Sequence, residues 1–128
     1  MVREVKEILV VDDNEDIRAL VVYLLQLEGY TVREAEDGES AIVALRESHA
    51  DLLLLDVMMP GISGLELLTM IRAGEVSEQV DIPVIMLTAK TQLEDIDQAT
   101  ELGATSYMLK PFKSEVLRQK IEEILSDE

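Results

Sequence analysis

The chain has 128 residues, of which 27 are acidic and 11 basic, for a formal net charge of −16. That charge repels DNA and anionic lipid, so direct binding to nucleic acid or to a membrane surface is excluded as an expectation. An apolar content of 48% supports one core and one domain, and the absence of cysteine excludes disulfides and thiolate metal sites and fits a reducing, cytoplasmic compartment.

No apolar stretch is long enough to span a bilayer, and the polar start MVREVKE has no signal-peptide layout. The first apolar run, ILVVDD (8–13), predicts a buried strand ending in Asp12 and Asp13. Asn14 is placed to cap a helix whose stripe reads Ile17, Leu20, Val21, Leu24 and Leu27, with Gly29 as its stop. Val22 and Tyr23 lie off that stripe. TVREA (31–35) is a second, more polar strand suited to a sheet edge, and residues 39–48 form a helix through Ala41, Ile42 and Leu45. DLLLLD (51–56) is the most apolar strand and ends in Asp56. After the turn-rich MMPGISG comes a third helix carrying Leu65, Leu68 and Ile71, then a polar connection, AGEVSEQVDIP. PVIMLT (83–88) ends in Thr88. A fourth helix over residues 93–102 stops at Gly103, and SYMLKP (106–111) ends in Lys110 and Pro111. The fifth helix starts with Ser114 as its cap and packs through Leu117, Ile121 and Ile124.

Strand and helix alternate five times, which predicts an α/β fold: a single doubly wound, flavodoxin-like parallel sheet of five strands with helices on both faces. Right-handed crossovers favour the order 2-1-3-4-5, with the polar second strand at an edge and DLLLLD central. Working sites in such sheets lie outside the carboxyl ends of the strands at the switch point, here between the first and third strands. Asp12, Asp13 and Asp56 occupy those ends.

Each of these residues has an ordinary reading alone: Asp12 or Asp13 as a helix cap, Asp56 as a turn residue, Thr88 as strand filler, Lys110 as a solvated charge. Together they are a constellation for magnesium-assisted phosphoryl acceptance. Magnesium takes carboxylate, water and phosphate oxygens, and a carboxylate serves as nucleophile in forming an aspartyl-phosphate. An ammonium and a hydroxyl then stabilise the charge of the transferring group. His49 has no second ligand near it in sequence and reads as a surface residue. The six methionines read as core and loop positions.

VVDDNED, LLLLDVMMPGISG, MLTAK and YMLKPF, in this order and each at a strand end, resemble the receiver domains of two-component response regulators over almost the whole chain. The resemblance implies a single receiver domain over residues 1–128 with no effector domain, a signalling switch rather than an enzyme on a separate substrate. Asp56 would be the phosphoacceptor, receiving its group from a histidine kinase or a histidine phosphotransfer protein. Asp13 and Asp56 would hold Mg2+ directly, Asp12 through water, and Met58 through its backbone carbonyl. Lys110, joined to Pro111 by a cis bond, would pair with the phosphoryl group. Thr88 and Tyr107 would be the switch pair, with output through the fourth helix, fifth strand and fifth helix to a downstream effector or a phosphorylation-dependent dimer. Family members dock their phosphodonor on the first helix, near Val22 and Tyr23. Met58 and Lys90 occupy the positions that tune phosphoryl lifetime, and neither is built to position a hydrolytic water. Two competing readings fit less well. An aspartyl-phosphate phosphatase or phosphotransferase of the Asp-x-Asp type needs a second carboxylate where Asn14 stands, and a flavodoxin-like cofactor carrier would be repelled by DDNED.

Overall fold

The computed structural model describes residues 5–89 and 93–126. Lys90 and Thr91 therefore lie outside the described residues. Ten elements alternate: β1 (Glu7–Val11), α1 (Glu15–Leu27), β2 (Thr31–Ala35), α2 (Gly38–Glu47), β3 (Leu52–Asp56), α3 (Gly64–Arg72), β4 (Val84–Ala89), α4 (Leu93–Glu101), β5 (Ser106–Lys110) and α5 (Ser114–Ser126). All strand pairings are parallel, in the order β2-β1-β3-β4-β5, as the sequence predicts.

The order follows from burial. Every residue of β3 is buried, so it must sit where helices cover both faces, whereas β2 is exposed at Thr31 and Glu34, half-buried at Val32 and Arg33 and buried only at Ala35, and takes an edge. Two cores result. One joins Leu9, Val11, Leu53, Leu55, Val84 and Met86 to α2, α3 and Ala99 of α4. The other joins Ile8, Val10, Leu52, Leu54, Ile85 and Leu87 to α1 and α5.

Local chemistry sets the helix starts. The Asn14 side chain accepts from the Ile17 N–H at 3.0 Å and caps α1 as predicted. A reciprocal box between Asp37 and Ser40 starts α2 at Gly38, one residue earlier than the periodicity predicts. Ser114 is the first residue of α5 rather than its cap, because the Lys113 carbonyl accepts the first helical bonds.

The buried stripe of α1 also differs from the predicted one. Val21 and Leu25 are buried and Val22 is half-buried against the core, while Leu20 and Leu27 are exposed. Tyr23, 59% exposed, does face outward.

Candidate functional site

Four strands deliver the predicted residues to one end of the sheet. Asp12 and Asp13 follow β1, Asp56 closes β3, Thr88 is the penultimate residue of β4, and Lys110 closes β5. Strand alternation sends Asp12, Asp56 and Lys110 toward the α1–α5 side, in step with Val10, Leu54 and Met108. Thr88 follows Met86 toward the opposite side.

Asp12 has no exposed surface and is held at four points. Its N–H donates to the Ala35 carbonyl at 3.3 Å. Its Oδ1 accepts from the Asn14 N–H at 2.9 Å and its Oδ2 from the Lys110 ammonium at 2.8 Å. Its own carbonyl accepts from the Arg18 guanidinium at 2.7 Å. Lys110 lies 3.2 Å from Asp56 Oδ1 as well, so one cation bridges two buried carboxylates. Asp13 is exposed and completes a group of three carboxylates whose oxygens lie within 4.8 Å of one another.

Such crowding is felt in the titration of Asp56. Burial raises its pKa to about 7, with Lys110 working against the shift and the charge of Asp12 reinforcing it. For Lys110, burial pulls the pKa down, but the bond to Asp12 and the charge of Asp56 outweigh it, and the net direction is up. The lysine therefore stays charged, while the carboxylates share less positive charge than they need. A cluster of hard oxygen donors with surplus negative charge, open to solvent at Asp13, is the donor set that suits a small divalent cation.

Thr88 is fully buried, and its hydroxyl donates to the Ala89 carbonyl at 3.3 Å. Its partner on β5 is Leu109. Tyr107 pairs with Met86, one pleat back on the same side of the sheet, and is 43% exposed with the Lys120 ammonium 5.9 Å from its ring centre. Met58, in the loop two residues beyond Asp56, has an exposed side chain. The Lys110–Pro111 bond is cis.

Two contributors were not read from the sequence. Gly64 opens α3 pressed against β3, and a Cβ there would fall on the Asp56 carbonyl, so only glycine admits the helix this close. Arg18 stands in the first turn of α1, where the helix dipole disfavours a cation. That misplacement is the signal that could have found it.

The sequence profile of the response regulator receiver domain family matches residues 8–122. The chain belongs to this family. Relatives include the phosphate regulon transcriptional regulatory protein PhoB of Pseudomonas aeruginosa, 40% identical over 120 residues, covering 94% of this chain and 52% of PhoB. The chemotaxis protein CheY of the same organism is 39% identical over 119 residues, covering 92% of this chain and 94% of CheY. This receiver domain thus spans about half the length of the first and nearly all of the second. Among solved structures, the receiver domain of NtrX from Brucella abortus superposes with a TM-score of 0.87 at 35% identity, covering 94% of this chain and 99% of that one. The fold is accordingly the flavodoxin-like receiver fold, and the domain is a component of two-component signalling, in which phosphoryl acceptance is the general function.

Proposed function

We propose that Asp56 accepts the phosphoryl group, from a histidine kinase or a histidine phosphotransfer protein, and that Mg2+ is held by Asp13 and Asp56 directly, by Asp12 through water and by the Met58 carbonyl. The observation that carries this reading is the convergence of three carboxylates within 4.8 Å on one bridging lysine at the strand ends. Both Asp12 oxygens already accept hydrogen bonds, which favours an indirect role for that residue.

In the transfer, an Asp56 oxygen forms the new bond to phosphorus as the bond to the donor imidazole nitrogen breaks, and the imidazole, already protonated at its other ring nitrogen, leaves as the neutral base. Lys110 meets one phosphoryl oxygen as its hold on Asp56 loosens, and the Thr88 hydroxyl donates to another. Magnesium, when bound, supplies the positive charge that lets an anionic group approach this cluster. The signal leaves through Thr88 and Tyr107, which share one side of the sheet. A Thr88 hydroxyl drawn toward the phosphoryl group frees space for the Tyr107 ring to turn inward. That motion selects between two states of the α4-β5-α5 surface, which an effector or a second copy would read. A cytoplasmic location follows from partners of this class.

Intact-mass measurement after incubation with Mg2+ and a small acyl phosphate tests the assignment. One phosphoryl group should add to the wild type and none to Asp56→Asn. Equal labelling of that variant would overturn the choice of acceptor.

A further inference from the structure

We propose that Arg18 is a positioning residue for the metal site: by holding the Asp12 carbonyl it fixes the peptide from which Asp13 departs, and Glu34 braces it in that pose. The inference rests on the magnesium reading above.

The Arg18 guanidinium donates from one terminal nitrogen to the Asp12 carbonyl at 2.7 Å and from Nε to Glu34 Oε1 at 3.0 Å. Its side chain is only 14% exposed, although it sits on a helix surface. The Asp12 carbonyl and the Asp13 N–H belong to one rigid peptide plane, so a donor that aims the carbonyl also aims the backbone leaving toward Asp13. Asp13 needs such help. Asp12 is buried and gripped at both carboxylate oxygens, whereas Asp13 is exposed and its side chain meets the Asp56 carboxyl, a group that a cation would also engage.

The geometry also separates direction from charge. A lone guanidinium this close to the carboxylates would oppose a divalent cation. Glu34, on β2, closes that charge locally, and the neutral pair keeps its directional bonds while its field at a distance largely cancels. The fork geometry of arginine is what lets one side chain reach both acceptors. The pair thereby ties α1, the loop after β1 and the edge strand β2 into a single frame around Asp13.

The test is calorimetric Mg2+ titration of the purified protein, with the Asp13 amide chemical shift recorded in metal-free samples. Outer-shell partners of metal ligands typically contribute 10-fold or more to affinity, so Arg18→Met should weaken Mg2+ binding by roughly tenfold and move the metal-free Asp13 amide. In acyl-phosphate labelling, the half-saturating Mg2+ concentration should rise by a similar factor, while the rate at saturating Mg2+ falls far less. Arg18→Lys, which keeps the charge and one donor, should lie between wild type and Arg18→Met. It serves as the deciding variant if Arg18→Met does not fold. Glu34→Gln keeps an acceptor for Nε but leaves the guanidinium charge unopposed, so its affinity should fall, and by clearly less than in Arg18→Met. Wild-type affinity in both Arg18 variants overturns the inference, as does a loss in Glu34→Gln as large as that in Arg18→Met. If instead the wild type binds no Mg2+, or Asp13→Ala binds like wild type, the magnesium reading itself fails.

Discussion

The two ends of the sheet are built to opposite electrostatic rules. At the amino ends of the strands, arginines donate to backbone carbonyls that helices and loops leave over. Arg33 reaches the Ala44 and Ser48 carbonyls at 2.7 and 2.9 Å, and Arg46 reaches those of Val76 and Glu75 at 2.9 and 3.0 Å. Arg72 donates twice to Gly103 and once to Val80. Asp51 there accepts from the Glu7 N–H at 2.7 Å. At the carboxyl ends, three carboxylates converge and one lysine serves two of them. The first end meets its leftover carbonyls and fixes the scaffold, although the buried Nε of Arg33 has no hydrogen-bond partner. The second is left short of positive charge, and a ligand that supplied it would draw on the energy that shortage stores.

The contrast can be broken by removing a cation at either end. Lys110→Ala should have the largest effect. It leaves Asp12 buried without its ion partner, a change that costs about 4 kcal/mol in metal-free protein. Urea denaturation should show most of this recovered in the double variant with Asp12→Asn, and part of it recovered by Mg2+. Sequence alone implies that Lys110 acts by charge without supporting the fold; the 2.8 Å bond to a fully buried carboxylate gives it a structural role. Gly64→Ala comes next, at about 3 kcal/mol, because its Cβ meets backbone rather than a movable side chain. Magnesium should not rescue that loss, which separates packing from charge at the same end. Arg72→Met should cost about 2 kcal/mol through the hydrogen bonds lost at Gly103 and Val80. Its unfolding free energy should fall equally with and without Mg2+; a loss that Mg2+ repairs would blur the division between the two ends.

Most of the fold was legible because the three buried strands, β1, β3 and β4, are short apolar runs closed by polar residues, and β3 could lie nowhere but the centre. Asp12, Asp13, Asp56 and Lys110 were legible for the same reason, each standing where an apolar run stops. The face of α1 was not. ALVVYLLQL places apolar residues all round the helix, so periodicity could not rank Leu20 and Leu27 below Val22 and Leu25. The arginines that bond carbonyls were equally hidden, since a backbone acceptor leaves no mark in the sequence. Gly64 looked like one more turn glycine until the closeness of α3 to Asp56 was seen. The start of α5 at Ser114 was off by one because its first helical bonds run to the Lys113 carbonyl, and a lysine side chain, which only donates, carries no capping signature.

The most direct test of the charge shortage is the pH dependence of stability in metal-free wild type relative to Asp56→Asn, measured by urea denaturation. The unfolded Asp56 carboxyl titrates near 3.9, at roughly the usual value, and the folded one at about 7. Between these values the native state keeps a proton that the unfolded state has released. The contribution of Asp56 to stability is therefore full below about pH 4 and is lost as the pH rises through about 7. Subtracting the variant removes the repulsion that the rest of this acidic chain contributes to both. Wild type should lose stability relative to Asp56→Asn from about pH 4 to about pH 8, and saturating Mg2+ should abolish the loss. A difference that stays flat across that range, or that rises with pH in the absence of metal, would contradict the charge shortage.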